Sequence, residues 1–198
     1  MESKEAVRKY VWDMMIDKGI AVFPLPPHGR IPNFKGSTAA AYNIRKLEEY
    51  HSAECVFTGP DAALKPLRRL VLMDGKNLAY ATPHMKEFRL LEAGSDPNKV
   101  SIKHLSILGK PLKRRVDIAV VGSVAVDHKG NRIGKGSGYG DKEVTYLKRL
   151  NPRMLVGTLV HTCQVFKDLS HLAEPHDVPV DFILTERGII RARRKSGV

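Results

Sequence analysis

Apolar residues open the chain at helical spacing. Val7, Val11, Met14 and Met15 fall on one stripe between charged neighbours, which predicts an amphipathic helix over residues 3–18 with Gly19 as its stop. The pattern then breaks in a proline-rich passage, Phe23-Pro-Leu-Pro-Pro-His-Gly-Arg-Ile-Pro-Asn-Phe-Lys-Gly, where missing amide donors and fixed φ angles exclude regular structure. Ser37 is placed to cap a second helix whose buried face carries Ala40, Ile44 and Leu47. Short apolar runs follow. Cys55-Val-Phe-Thr predicts a strand, and Leu70-Val-Leu-Met and Leu78-Ala-Tyr-Ala predict two more across the turn signal Asp74-Gly75. Val116-Asp-Ile-Ala-Val-Val suits a central strand. Beyond a polar connection, Asp127-His-Lys-Gly-Asn, and a glycine-rich loop, residues 139–150 carry a helical pattern. Met154-Leu-Val-Gly-Thr-Leu-Val, Val180-Asp-Phe-Ile-Leu and Gly188-Ile-Ile-Arg complete the set. Strands separated by helices indicate an α/β sheet covered on both faces. The 198 residues suffice for one large domain, and we expect a single domain over 1–198 with a frayed basic tail from about Arg191.

Composition narrows the classes. Apolar residues are 42% and charged residues 27%, which excludes a disordered chain. The formal charge of +12 points to anionic partners: phosphorylated ligands, nucleic acid or acidic lipid. Cys55 and Cys163, the only cysteines, cannot staple a chain of this length, and a reduced, cytoplasmic setting is expected. No signal-peptide pattern opens the sequence, and the most apolar stretch, Val116 to Val126, is short and holds Asp117, so no membrane span is expected.

The chemistry concentrates in Arg132-Ile-Gly-Lys-Gly-Ser-Gly-Tyr-Gly-Asp-Lys. Glycine occupies every second position from Gly134 to Gly140, an arrangement costly in backbone entropy and poor for a strand. It makes sense where backbone amides must curve closely around a phosphate, with a helix starting directly behind to add its positive end. Arg132, Lys135 and Lys142 surround the loop with cations, and Asp141 offers the hard oxygen that Mg²⁺ accepts beside phosphate oxygens. The spacing is neither that of a P-loop nor of a dinucleotide fingerprint. A nucleoside triphosphate with magnesium is the ligand this combination fits. Joint replacement of Lys135 and Asp141 is expected to abolish ATP binding and to leave the melting temperature nearly unchanged.

The run Asp127-His-Lys-Gly-Asn-Arg-Ile-Gly-Lys-Gly-Ser-Gly-Tyr-Gly-Asp resembles the 5-formyltetrahydrofolate cyclo-ligase (methenyltetrahydrofolate synthetase) family. Gln164 and His176-Asp-Val-Pro-Val-Asp-Phe-Ile-Leu-Thr-Glu continue the likeness, which is clear over roughly residues 110–190. Arg30-Ile-Pro-Asn-Phe-Lys-Gly-Ser is similar to the family's methenyltetrahydrofolate synthetase domain-containing branch. The resemblance implies a three-layer α/β/α fold with a mostly parallel sheet, of the NagB/RpiA/CoA transferase-like type. It also implies ATP-dependent closure of 5-formyltetrahydrofolate to 5,10-methenyltetrahydrofolate. By residue, it implies ATP contacts from Lys4, Arg8, Arg132, Gly134, Lys135, Gly136, Ser137, Gly138, Tyr139 and Gly140. Substrate contacts are implied for Arg8, Lys135, Gly136, Ser137, Gly138 and Tyr139, catalytic roles for Lys135 and Tyr139, and Mg²⁺ ligation for Asp141 and Asp177. The implied partners are ATP and a reduced formyl-folate, with no membrane.

The sequence departs from the family in two places. Gly140 replaces the second loop tyrosine, and the folate-contacting glutamate has no clear counterpart, Asp61 after Thr58-Gly-Pro being the nearest acid. These departures sustain a second expectation: a nucleotide-binding module that has lost folate chemistry and engages RNA or a protein partner. The absence of an RNP-type aromatic motif counts against RNA. His161, His171 and His176 lack zinc-site spacing and are expected to be surface or structural residues. Ser123 lacks a nucleophile-elbow context, Tyr10 and Trp12 are expected to pack, and Arg30 and Lys35 are expected to carry simple loop charge.

Overall fold

The computed structural model describes residues 1–193. Its helices are α1 (Lys4–Asp17), α2 (Ser37–Tyr42), α3 (Glu48–Ser52), α4 (Lys65–Met73), α5 (Ile102–Ile107) and α6 (Tyr139–Leu150). Its strands are β1 (Ala21–Val22), β2 (Asn33–Phe34), β3 (Cys55–Thr58), β4 (Asn77–Ala81), β5 (Phe88–Leu91), β6 (Lys110–Pro111), β7 (Ile118–Gly122), β8 (Ala125–Asp127), β9 (Arg132–Ile133), β10 (Leu155–Leu159), β11 (Val165–Phe166), β12 (Phe182–Thr185) and β13 (Gly188–Arg191). The main sheet runs β13-β12-β10-β7-β3-β4-β5-β6. Its five central strands are parallel, and the pairings β12–β13, β4–β5 and β5–β6 at the two edges are antiparallel.

Side chains alternate across the sheet and build two cores. Val56, Ile118 and Val120 face α1, α2 and α4, whereas Cys55, Phe57, Ala119 and Val121 face the other side, where Val144 and Leu147 of α6 pack. The three-layer arrangement follows from strands that are apolar on both faces. No helix among the described residues is long and apolar enough to cross a membrane.

Most expected elements form, and the differences have physical causes. Leu70-Val-Leu-Met is the second half of α4, not a strand. Leu67, Leu70 and Val71 are all buried at helical spacing, and Asp74-Gly75 ends the helix: the Asp74 amide bonds the Leu70 carbonyl at 2.8 Å. Ser37 is the first residue of α2, and Gly36, at φ +98°, holds the cap position. Asn33 and Phe34 of the proline passage do pair, as β2, with Val22 and Ala21 of β1 just before it. Arg191, expected to begin a frayed tail, instead closes β13 and grips Glu49 through two hydrogen bonds of 2.9 and 2.8 Å. Arg194 and Lys195 lie outside the described residues.

A second, three-stranded sheet, β11-β8-β9, delivers the glycine loop. Asp127 organises its turn. Its carboxylate accepts the amides of Lys129 and Asn131 at 2.9 Å each, the Asn131 side-chain amide at 2.9 Å and the Leu169 amide at 2.7 Å. Gly130 completes the turn at φ +91°, and a Cβ there would stand 2.2 Å from the Val180 carbonyl oxygen. Both strain and backbone collision oppose any side chain, so Gly130→Ala is expected to destabilise by about 2–4 kcal/mol. Denaturant titration checks this; an unchanged midpoint would mean that the turn is not locked against the Val180 backbone.

Candidate active site

A cavity of about 490 Å³ opens at the carboxyl ends of β3, β4 and β7, and every residue proposed from sequence for ligand contact lines it: Lys4, Arg8, Arg132, Gly134 through Gly140, Asp141 and Asp177. Ligands in open α/β sheets bind at this end of the strands. Residues more than a hundred positions apart thus meet in one place.

The loop is built as its glycines require. Gly136 and Gly138 adopt φ of +113° and +75°, and Gly138 caps α6 from the left-handed region, so the helix N-terminus with its free amides faces the cavity. Gly140 serves space instead of φ. A Cβ on Gly140 would lie 2.9 Å from Arg132 Nη2, whereas one on Gly134 would meet the same guanidinium at an ordinary 3.5 Å. Arg132 is buried, donates to the Gly122 carbonyl at 2.5 Å and stands 3.3 Å from Asp141. The position where the resemblance expects a second tyrosine is therefore adjoined by a fixed guanidinium.

Other cations behave differently from one another. Arg8 Nε donates to the Gly134 carbonyl at 2.8 Å, and its Nη1 contacts Glu5, which ties α1 to the loop. Lys4 reaches Glu174 at 2.5 Å and Asp177 at 2.7 Å. Burial works against its charge, but these two carboxylates outweigh it and raise the ammonium above its ordinary value. Lys135 is exposed at the cavity and forms no hydrogen bond or ion pair among the described residues. Lys142, which the sequence places around the loop, turns away: it lies over the Tyr139 ring at 5.7 Å and does not line the cavity. Its position, three residues past Tyr139 on a helix whose inner face is taken by Glu143, leaves it only the solvent side.

Asp141 and Asp177 do come together. Asp141 accepts the amide of Val178 at 3.0 Å, which sets its carboxylate beside the backbone next to Asp177. Glu174, His176 and Asp177 bring one ligating atom each to within 4.8 Å of one another. Carboxylate oxygens at a cavity rim beside a phosphate-shaped loop are a donor set that suits Mg²⁺, which takes one or two carboxylates and otherwise keeps water or phosphate. His176, expected as a surface or structural residue, shares this cluster. His161 is elsewhere, bonding the Cys163 amide at 3.0 Å, and His171 contacts the Met1 carbonyl.

Sequence reasoning missed several residues of the site. His84 stands 3.0 Å from the Tyr139 hydroxyl, on a segment where His84 and Met85 both have positive φ, 59° and 55°. Such backbone is strained for side-chain-bearing residues, and nothing in Thr82-Pro-His-Met announces it. Asp61, noted only as the nearest acid, lines the cavity, and burial raises its carboxyl above the ordinary value despite Lys135, Arg68 and Arg132. Glu143 is buried and lines the cavity too; burial first, then the Asp61 charge, push it to about 7. Its signal was present, since Tyr139 and Glu143 are four apart on one helix and so share a face. Ser123 is buried and bonds Thr158 at 2.6 Å, Trp12 packs with its indole N–H on the Arg30 carbonyl, and Tyr10 is half exposed against Phe166. Arg30 and Lys35 are exposed and do not line the cavity.

The class is an α/β/α protein with a parallel-cored sheet, whose cavity joins a glycine-built loop to a carboxylate cluster at the carboxyl ends of the strands. A sequence profile described as the 5-formyltetrahydrofolate cyclo-ligase family matches residues 1–186, and the chain belongs to that family. The match extends the likeness seen from sequence into the N-terminal half. The chain is similar to the methenyltetrahydrofolate synthase domain-containing proteins of Mus musculus, 37% identical over 95% of this chain and 55% of that one, and Homo sapiens, 36% identical over 95% and 53%. It thus spans about half the length of these curated relatives. In fold it is similar to the 5,10-methenyltetrahydrofolate synthetase of Aquifex aeolicus, with a TM-score of 0.62 and 24% identity over 98% of this chain and 95% of that one. The synthetase of Mycoplasma pneumoniae is also similar, with a TM-score of 0.55 and 13% identity over 91% and 97%.

Proposed function

We propose that this chain closes 5-formyltetrahydrofolate to 5,10-methenyltetrahydrofolate at the expense of ATP, with Mg²⁺. The observation that carries the proposal is the convergence on one cavity of the amide-presenting loop, the α6 N-terminus, Arg8, Lys135 and the Asp141–Asp177 acids. The formyl oxygen takes the γ-phosphoryl group and ADP leaves. N10 then attacks the activated carbon, its proton passes to solvent, and phosphate departs as the ring closes. Such transfers depend on positioning and charge neutralisation more than on covalent help from the protein.

Each residue follows from its surroundings. The loop amides and the helix N-terminus hold phosphate oxygens, and Arg8, fixed on Gly134, braces the loop while facing the same anion. Lys135, uncommitted to any carboxylate, meets the charge that develops on the transferring group. Tyr139, its hydroxyl held by His84, positions the substrate at the transfer point. Asp141 and Asp177 would hold Mg²⁺, which when bound neutralises polyphosphate charge. Lys4, now paired with Glu174 and Asp177, keeps those acids in place and shares the phosphate.

The test is direct. Purified protein mixed with 5-formyltetrahydrofolate and Mg-ATP develops the methenyl chromophore; a folded sample without turnover rejects the proposal. The guanidinium beside Gly140 favours one other function, a divergent module. That function predicts calorimetric ATP binding without product, with engagement of RNA or a protein partner, and any RNA affinity would fall steeply with salt.

A further inference from the structure

Helix α6 has two faces of opposite character. Its acids, Asp141 and Glu143, both line the cavity, and Val144 and Leu147 pack against the sheet. Tyr139, Lys142, Tyr146 and Arg149 follow one another at steps of three and four residues, so they form one stripe, and it holds no acid. Lys142 and Arg149 are exposed, and Tyr146 is 44% exposed. The hairpin between β4 and β5 runs alongside. Phe88 stacks on Tyr146 with ring centroids 4.7 Å apart and planes at 16°, and His84 meets Tyr139 edge-on at 5.7 Å. The two ring pairs are therefore about 10 Å apart along the α6 axis. Phe57 backs Phe88 at 6.0 Å, so the Tyr146 ring is fixed from behind and open in front. A ring held this way loses little freedom when a second flat group stacks on it.

Exposed Lys86 lies between His84 and Phe88 in the hairpin, as Lys142 lies between Tyr139 and Tyr146 in the helix. Lys86, Lys142 and Arg149 make no ion pair among the described residues, whereas Glu87, the hairpin's acid, is taken by Arg89 at 2.9 Å. An acidic peptide would satisfy these cations and leave the ring unused. Phosphates answer the cations and bases answer the ring, and one ligand class brings both. We propose that this face of α6 and the adjoining hairpin bind single-stranded nucleic acid, with Tyr146 as the stacking platform and Lys86, Lys142 and Arg149 as phosphate contacts. The platform is a helix face, outside any RNP-type sheet motif, and it binds without regard to base sequence. None of Lys86, Lys142, Tyr146 and Arg149 lines the cavity, so the inference does not depend on the cyclo-ligase function.

Fluorescence anisotropy of labelled oligouridylate and oligothymidylate, each of about twelve nucleotides, with the full chain as titrant, tests this. At about 50 mM salt the wild type binds both at micromolar concentrations. Log affinity falls against log salt with a slope near about −2, the value for about three phosphates on a single strand. A duplex of equal length, its bases already stacked inside, binds at least about fivefold more weakly. Tyr146→Leu loses about tenfold for the single strands, and Tyr146→Phe, which keeps the ring, stays within about twofold of wild type. Lys142→Gln combined with Arg149→Gln weakens binding and flattens the slope by about 1.4.

Preference for one of the two oligonucleotides supports the proposal and assigns RNA or DNA. No binding at this salt overturns it. So does undiminished binding in Tyr146→Leu, which marks a merely solvated basic face, or an unchanged slope in the double variant, which moves binding to other cations. Oligoglutamate of similar length bound as tightly as the single strands assigns the face to acidic peptides and overturns it too. Should Tyr146→Leu fold poorly, the duplex comparison and the double variant decide, since both leave the Tyr146–Phe88 stack intact.

Discussion

Lys135→Ala is expected to lower kcat about 10²–10³-fold, the size typical of removing one charge-stabilising group from a transfer site. The melting temperature should hold, because Lys135 is exposed and makes no hydrogen bond or ion pair among the described residues. Steady-state kinetics beside a thermal melt check both halves, and full activity in the variant would remove Lys135 from the chemistry. The contrast with Asp141 is instructive. Joint replacement of Lys135 and Asp141 was expected from sequence to spare the melting temperature, but Asp141 accepts the Val178 amide and faces Arg132, so its removal also loosens the segment around Asp177. Only the lysine half of that pair is free of structural duty.

Arg68→Ala is expected to cost about 3–5 kcal/mol, combining a large cavity with orphaned buried carbonyls. Arg68 is 1% exposed and gives its donors to Val100 at 3.1 Å, Gly59 at 2.9 Å and Asp61 at 3.1 Å, all main-chain oxygens. Burial draws its guanidinium down to about 10, with Asp61 opposing, so it stays charged at neutral pH. Because it clasps the Gly59–Asp61 bend, its loss should also weaken ligand binding at the acidic end of the cavity. Denaturant midpoints measure the first effect, and calorimetry on the folded fraction measures the second. A variant within about 1 kcal/mol of wild type would show that water replaces the guanidinium at little cost.

Legibility in the sequence tracked how local each cause is. The stripe of α1, the run of β3 and the glycine loop were all readable, because amphipathic period and positive φ belong to short stretches. Leu70–Met73 was not readable as helix: its four apolar residues fit either period until Leu67 packs beneath them. In the loop itself, Gly136 and Gly138 announce their backbone, but Gly140 is small because Arg132 folds back against it. No spacing rule conveys that.

By itself, then, the sequence determined the layered class and the glycine loop with its left-handed positions, since each depends on dihedral preference or residue chemistry within about a dozen positions. The tertiary structure alone decided which charges stay available. Which carboxylates Lys4 pairs with, where the Arg132 guanidinium lies, and whether Glu143 is solvated or buried are set by contacts across up to 173 positions. Desolvation and pairing act through space, and chain order carries no record of either.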